Sequence, residues 1–216
     1  MNLVELINNL NFNILFPLFI GFKLLLETYL KQRNIQSMEK NKETIPERFI
    51  DVVTEEEYKK SINYNTERIR FSMFTATISV GVLLLFTTGG LLNFLTKIVQ
   101  DITQSNVLGI ILLGLFIVLI DEIIGIPLAI YSTFTLEEKY GFNKTTAKTF
   151  VQDLIKNLII SVVFASTLYA VVISIIERLG DNWWIYAFVA VFLFQAIVFY
   201  LYPVLILPLF NKLEPI

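Results

Sequence analysis

The sequence predicts an all-α polytopic membrane protein with five transmembrane helices and helical segments outside the bilayer. Of the 216 residues, 55% are hydrophobic and only 17% are charged, a composition too apolar for an ordinary water-soluble domain. A helix needs about 20 mostly apolar residues to cross the hydrocarbon core. Five windows meet this requirement, at about 10–30, 71–95, 107–131, 154–176 and 183–207.

The distribution of basic residues supports five spans and predicts their orientation. Of 17 Lys and Arg residues, nine lie in the connection 31–70, four in 132–156 and one at Lys212. With five spans these fourteen share one side of the membrane, and only Lys97 and Arg178 lie on the other. The positive-inside rule therefore places the N-terminus outside and the C-terminus in the cytoplasm. The short spacers favour a bacterial plasma membrane over an endoplasmic reticulum.

The first window is expected to remain as a membrane helix. The preceding stretch, MNLVELINNLNFN, has no basic residue and no small-residue cleavage site, so it does not resemble a cleaved signal peptide. Inside the window, Lys23 and Glu27 share a face at i,i+4. Lys23 either extends its ammonium group to the headgroups or meets Asp121 or Glu122.

The connection 31–70 is expected to be a cytosolic helical segment rather than a flexible loop. Thr54 followed by Glu57 fits a capping box, with acidic residues in the first helical turn. The sequence therefore predicts an amphipathic helix that begins near residue 55 and continues into the second span.

The segment YSTFTLEEKYGFNKTT, residues 131–146, predicts a structured cytosolic elbow over about 132–153. Glu137, Glu138 and Lys139 extend a helix end. Gly141 suits a tight turn or a positive φ, and Asn143 is predicted to be the N-cap of a helix that starts at Lys144. The NKT triplet matches a glycosylation sequon, but the predicted topology places it inside.

Asp121 and Glu122 lie well inside the third window, where an ionised carboxylate costs about 2.5–3.5 kcal/mol. Neighbouring helix positions are about 100° apart, so the two side chains cannot point to one spot. We infer that this helix borders a wet cavity or a polar bundle interior. The two carboxyl groups are satisfied by neighbouring helices, kept neutral, or line a substrate chamber; a metal site or proton relay is a further alternative.

Several function classes are excluded by missing residue types. The chain has no His and no Cys, so it contains no His-dependent triad, no HExxH zinc site and no thiolate metal site. Its formal net charge of −2 gives no basic surface for nucleic acid. No catalytic and no metal-binding residue is therefore assigned in this chain.

Two segments of the sequence are IPLAIYSTFTLEEKYGFNKTTAKTFVQDLIK, which contains the elbow, and YPVLILPLFNKLEPI, which begins at Tyr202. Both resemble the signatures of the CAAX prenyl protease 1 family. The matching residues are Pro127, Tyr131, Thr133, Phe134, Glu137, Glu138, Gly141, Phe142, Asn143, Thr146, Phe150, Asp153, Lys156, Tyr202, Pro203, Pro208, Leu209, Phe210, Asn211 and Lys212. Tyr140, where the family often has His, and Leu213, where it has an aromatic residue, depart from the pattern.

The resemblance implies an integral-membrane zinc metalloendopeptidase that cleaves prenylated CAAX proteins or other membrane-associated proteins. Members of that family form a ring of seven transmembrane helices around a water-filled chamber, and an HExxH helix with a later Glu holds the zinc. Without His, this sequence cannot supply those zinc ligands, and we expect the catalytic domain to be absent from it. We therefore expect residues 1–216 to be the N-terminal membrane domain, with Asp121, Glu122 and Lys23 as possible chamber-lining residues. The implied partners are membrane lipid, a catalytic domain in cis or in trans that brings the zinc, and a peptide or prenylated protein substrate.

Three alternatives were weighed against this interpretation. A stand-alone scaffold or subunit that acts with a separate peptidase chain stays open, and an in-frame HExxH downstream would decide the question. A transporter is disfavoured because no inverted repeat is present. A glutamate-type intramembrane CAAX protease is rejected because it needs an EExxxR pattern and histidines, whereas Phe142 occupies the Arg position.

Overall fold

A computed structural model describes residues 12–210, and within them the chain is helical with no strand. The start of the first predicted window, at residue 10, and the motif residues Asn211 and Lys212 lie outside this range. Six helices carry the fold: α1 Phe12–Lys40, α2 Glu55–Thr87, α3 Leu91–Ile102, α4 Asn106–Tyr131, α5 Ala147–Leu179 and α6 Trp183–Leu201. The all-α class predicted from the sequence is confirmed.

The chain divides into two compact units. The first contains the described residues up to Phe94 together with Ile126–Asn143. The second contains Leu95–Gly125 together with the described residues from Lys144 onward. Helix α4 therefore contributes its N-terminal part to the second unit and its C-terminal end to the first.

In the first unit, α1 packs against α2, and the connection between them is tied to the start of α2. The predicted capping box is confirmed: the Glu57 backbone N–H donates to Thr54 Oγ1 at 3.3 Å, and the Thr54 N–H donates to Glu57 Oε2 at 3.0 Å. Lys59 bridges Glu43 in the connection, at 2.5 Å, and Glu55 in the first helical turn, at 2.7 Å. These local contacts explain why α2 begins at residue 55, as predicted.

Helix α2 ends earlier than the second predicted window. The window ran to about 95, whereas the helix stops at Thr87 and a separate helix, α3, begins at Leu91. The backbone N–H of Gly89 donates to the Leu84 carbonyl at 2.7 Å, and Gly90 has φ +80°, a left-handed conformation that ends the helix without side-chain strain. Hydropathy alone does not show this break, because apolar residues continue on both sides of it.

In the second unit, α5 and α6 form an antiparallel hairpin. A single 3₁₀ turn, Gly180–Asn182, separates them, and Gly180 has a positive φ. The rings of Phe164 on α5 and Phe194 on α6 meet edge to face with centroids 5.9 Å apart. The continuous apolar run Ala147–Phe210 therefore contains two helices that cross in opposite directions.

Within residues 12–210, four helical stretches are long and apolar enough to cross a membrane: Asn13–Lys40, Glu55–Thr87, Asn106–Tyr140 and Ala147–Phe210. The turn Gly180–Asn182 divides the last stretch into α5 and α6, which gives five apolar helices in all. Their large apolar side chains face outward. Phe199, for example, is 84% exposed, and only seven hydrophobic residues of the described chain are buried. A water-soluble monomer does not present so much continuous apolar surface, so lipid is the solvent that this surface fits.

Candidate functional site

The C-terminal end of α4 carries most of the first motif, and its helical geometry is irregular there. Pro127 lies inside α4 and has no backbone N–H to donate. After Tyr131 the helix widens into a π-helical turn, Ser132–Glu137, and then closes with Glu138–Tyr140. Leu136 and Tyr140 are buried, at 4% and 7% exposure. π-helical turns are frequent at functional sites, because they re-aim side chains within a helix.

Gly141 ends this helix through backbone hydrogen bonds. Its φ is +74°, as the sequence predicted, and its N–H donates to the Glu138 carbonyl at 3.0 Å. The N–H groups of Phe142 and Asn143 donate to the Glu137 carbonyl at 2.9 and 3.3 Å. The last carbonyl groups of the helix are thus satisfied, which makes the elbow a defined turn.

The predicted role of Asn143 is wrong. Its side-chain Nδ2 donates backward to Glu138 Oε2 at 2.7 Å, so Asn143 completes the C-terminus of the preceding helix. The next helix, α5, begins at Ala147 rather than Lys144, and its N-cap is Thr146, whose Oγ1 accepts from the Thr149 N–H at 3.2 Å. Asn suits both N-caps and turns, and here its side-chain amide bonds to Glu138 at the end of the preceding helix.

The elbow packs onto the charged half of α2. The Tyr64 ring contacts Tyr140 at a centroid distance of 5.4 Å and Phe142 at 4.7 Å. Lys139 Nζ forms an ion pair with Glu67 Oε1 at 2.5 Å. Farther along α2, Phe71 contacts Tyr131, so the partner number falls as the α2 number rises and the two segments run antiparallel.

A cleft of about 740 Å³ lies between α2 and the end of α4, within the first unit. Its lining includes Phe71 and Tyr131, whose ring centroids are 5.0 Å apart. One end is lined by charged side chains and the other by apolar ones. The lining residues are Glu67, Arg70, Phe71, Phe74, Pro127, Leu128, Tyr131, Leu136 and Lys139.

Sequence reasoning missed the α2 side of this cleft. Glu67, Arg70, Phe71 and Phe74 follow the i, i+3, i+4, i+7 spacing of one helix face, and this spacing was the signal available. This spacing alone does not identify a cleft, because many transmembrane helices carry charged and aromatic residues together where they leave the membrane. Only the antiparallel pairing with α4 shows that this helix face lines a cleft.

A second cluster joins residues of the two motif segments in the second unit. Lys156 Nζ donates to Asp153 Oδ1 at 3.1 Å and to the Leu209 carbonyl at 2.8 Å. It also lies 5.3 Å from the centroid of the Phe210 ring. One cation therefore connects the start of α5 to the end of the hairpin, where Leu207–Phe210 follows a π-helical turn at Tyr202–Ile206.

The charged residues inside the spans have different surroundings. Lys23 Nζ forms an ion pair with Glu27 Oε1 at 3.3 Å on its own helix, and both side chains are well exposed. Asp121 is exposed and Glu122 is half-buried. Within residues 12–210 neither carboxylate has an ion-pair partner. The chamber-lining role of these three residues stays a prediction.

Comparison with known proteins agrees with the motifs. Residues 34–212 match the family model described as CAAX prenyl protease N-terminal, five membrane helices. The chain belongs to this family. Within the family, it is 33% identical over 208 residues to the probable CAAX prenyl protease 1 of Schizosaccharomyces pombe, a match that covers 88% of this chain. It is 28% identical over 210 residues to the CAAX prenyl protease 1 homolog of Arabidopsis thaliana, which covers 91% of this chain.

A solved structure of the family has the same fold. The crystal structure of S. mikatae Ste24p matches this chain with a TM-score of 0.85 and 26% sequence identity over 96% of the chain. The chain spans only part of these relatives: 42% of the fission-yeast CAAX prenyl protease, 48% of the Arabidopsis homolog and 50% of the Ste24p chain.

Proposed function

We propose that this chain forms the membrane wall of a CAAX prenyl protease, a zinc metalloendopeptidase that cleaves prenylated CAAX proteins or other membrane-associated proteins. The observation that carries the proposal is the family match over residues 34–212, together with the Ste24p fold at a TM-score of 0.85. Because the chain spans about half of its relatives, the proposal concerns the part that this half plays.

The residues of this chain do not fit a zinc site. The sequence has no His and no Cys, the nitrogen and sulfur ligands that zinc prefers. Among residues 12–210, no group of three or more Asp or Glu side chains is arranged to hold a metal ion. In the proposed enzyme the zinc is therefore held by a catalytic domain outside these 216 residues, in cis or in trans.

The contribution of this chain is structural and electrostatic. Asp121 and Glu122 lack ion-pair partners within residues 12–210, and an ionised carboxylate at bilayer depth needs water or protein dipoles. We assign these two residues, with Lys23, to the lining of a wet substrate chamber. Their charges would keep the chamber hydrated for a peptide substrate.

The first test is the mass of the native protein in its source membranes, detected with an antibody against the segment 31–70. A species much heavier than 24.9 kDa, with an in-frame HExxH segment, supports the proposal with the zinc site in cis. The purified 216-residue chain is expected to bind no stoichiometric zinc and to cleave no farnesylated peptide. Tight stoichiometric zinc, or metal-dependent cleavage by this chain alone, would contradict the proposal.

A second candidate is a non-enzymatic membrane scaffold or subunit that acts with a separate peptidase chain. The sequence contains no His, so any zinc peptidase activity needs ligands from elsewhere, and a separate peptidase chain could supply them. A native species at 24.9 kDa that co-purifies with a zinc peptidase would support the subunit, and the same species without such a partner would support the scaffold.

The proposed topology places the N-terminus outside and the C-terminus in the cytoplasm, from the distribution of Lys and Arg. The sequence argument favours a bacterial plasma membrane, whereas the two CAAX prenyl proteases compared above come from a yeast and a plant, which points toward an endoplasmic reticulum. Fractionation of source cells, with the same antibody, distinguishes the two membranes.

A further inference from the structure

The cleft between α2 and α4 changes from polar to apolar along its length. On α2, Glu67 and Arg70 precede Phe71 and Phe74, and all four line the cleft. On the other wall, Lys139 lies opposite Glu67, and Tyr131 lies opposite Phe71. Both walls therefore have their charged groups at the same end and their apolar groups at the other.

The polar end carries a net positive charge. The Glu67 carboxylate forms an ion pair with Lys139 and also attracts Arg70, so two cations share one carboxylate. Arg70 lines the same cleft, is exposed, and has no ion-pair partner within residues 12–210. A guanidinium group presents several N–H donors in a plane, which suits a phosphate group.

The apolar end is open rather than filled by the protein. Phe74 is 57% exposed and Tyr131 is 49% exposed, although both line the cleft. Arg70 is the last basic residue of α2, and the helix is apolar or weakly polar from Phe71 to Thr87. The cleft thus crosses the boundary at which phosphate groups of lipids meet their acyl chains.

We propose that this cleft is a binding site for an anionic phospholipid, with its phosphate on Arg70 and the upper part of one acyl chain on Phe71, Phe74 and Tyr131. The charge of the cleft favours an anionic headgroup, and the ordered aromatic surface favours a chain over water. A lipid is the occupant because it is always present at this depth. The site is separate from the proposed peptidase activity and does not depend on it.

The test measures lipid selectivity at the cleft in nanodiscs of phosphatidylcholine and phosphatidylglycerol. A Phe74→Trp reporter is placed in a chain with Trp183→Phe and Trp184→Phe, and bromine is attached to the acyl chains of one lipid at a time. Bromine quenches a Trp in contact with it, so the quenching ratio reports which lipid occupies the cleft. Leu25→Trp, on an exposed part of α1, reports the bulk lipid.

We expect stronger quenching by brominated phosphatidylglycerol at position 74 and equal quenching by the two lipids at position 25. Arg70→Gln should reduce the preference roughly fivefold, the effect of one basic residue near an anionic surface. Arg68→Gln is the matched control, because Arg68 is exposed on the same helix, carries the same charge and does not line the cleft. It should leave the preference unchanged.

Two outcomes would overturn the proposal. Equal loss in the Arg68→Gln and Arg70→Gln chains would show that only the general positive charge of α2 attracts anionic lipid. Displacement of the brominated phosphatidylglycerol by a farnesylated peptide at low concentration would assign the cleft to a substrate instead. Native mass spectrometry of the chain without the Trp reporter, comparing retained phosphatidylglycerol between wild type and Arg70→Gln, provides a second readout that needs no aromatic substitution.

Discussion

Thr66, on α2, places a polar side-chain atom in the interior of the first unit. Thr66 is 3% exposed, and its Oγ1 has no hydrogen-bond partner among residues 12–210. Other hydroxyl groups on α2 donate to a carbonyl in the preceding turn, as Thr77 Oγ1 does to Met73 at 2.9 Å. A buried hydroxyl without a partner has lost its hydration and gained nothing in exchange.

Replacing Thr66 with Val, which has a similar shape, should raise the free energy of unfolding by about 1 kcal/mol, because it removes an unsatisfied polar atom. Thermal denaturation in detergent measures the change. Thr77→Val is the control: it removes a hydroxyl that already has a partner and should give no such gain. A Thr66→Val chain less stable than wild type would show that the hydroxyl has a partner in solution.

At Gly114, helix α4 lies directly against the Tyr169 ring of α5. Gly114 is buried, and a Cβ there would collide with the ring of Tyr169. Gly114→Ala should therefore destabilise the protein by about 1–3 kcal/mol through overpacking. Gly125→Ala, where a Cβ meets nothing within 4 Å, should be nearly neutral. Adding Tyr169→Leu to Gly114→Ala should recover part of the loss in the same melting assay.

A substitution at Gly141 probes the backbone conformation of the elbow without changing its side-chain packing. The Gly141 φ of +74° lies in the left-handed region, and a Cβ there would contact only the flexible end of Lys60. Gly141→Ala should cost about 1 kcal/mol from backbone strain alone. Gly81→Ala, at an open helical position, should not destabilise the protein. Equal melting temperatures for the two variants would mean that residue 141 leaves the left-handed conformation at little cost.

At the scale of elements, the sequence predicted best what depends on local contacts. Thr54 and Glu57 lie three residues apart, so their capping box forms whatever the rest of the chain does. The same is true of the turn at Gly141. The break at Gly89 and Gly90 was missed, because it divides one apolar run into two helices without changing its hydropathy. The cleft was missed, because its two walls come from residues 67–74 and 127–139, which are more than 50 positions apart.

Lys156 on α5 donates a hydrogen bond to the Leu209 carbonyl, which lies beyond the C-terminal end of α6. Lys156→Met keeps the apolar stem but removes the donor to Asp153 and to the Leu209 carbonyl. Since Lys156 is 42% exposed, solvent screens its charge and we expect a loss of only about 1 kcal/mol, concentrated in the last helical turns. In the Lys156→Met chain, this loss of stability should appear as faster backbone hydrogen exchange over residues 202–210. Lys148→Met, at an exposed position of α5, should leave that exchange unchanged.

At the scale of the whole molecule, the absence of Cys makes membrane topology directly testable. A single Cys can replace Glu56 at the start of α2, Gln104 between α3 and α4, or Asp181 between α5 and α6, and all three positions are exposed. Each Cys reports the side of the membrane on which its position lies. In intact bacterial spheroplasts, a membrane-impermeant maleimide should label the Gln104→Cys and Asp181→Cys chains but not the Glu56→Cys chain, which should react only after permeabilisation. The reverse pattern would invert the proposed orientation, and labelling at all three would contradict the five-span count.

Helix α2 has 33 residues, which makes it about 50 Å long, whereas the hydrocarbon core is about 30 Å thick. It contains no Pro, and its one Gly, Gly81, lies near its C-terminus. The helix therefore has no hinge where it leaves the bilayer. Without a kink, the charged half and the membrane half of α2 are expected to tilt together. We therefore expect a displacement of the connection 41–54 to change the tilt of the half of α2 that crosses the membrane.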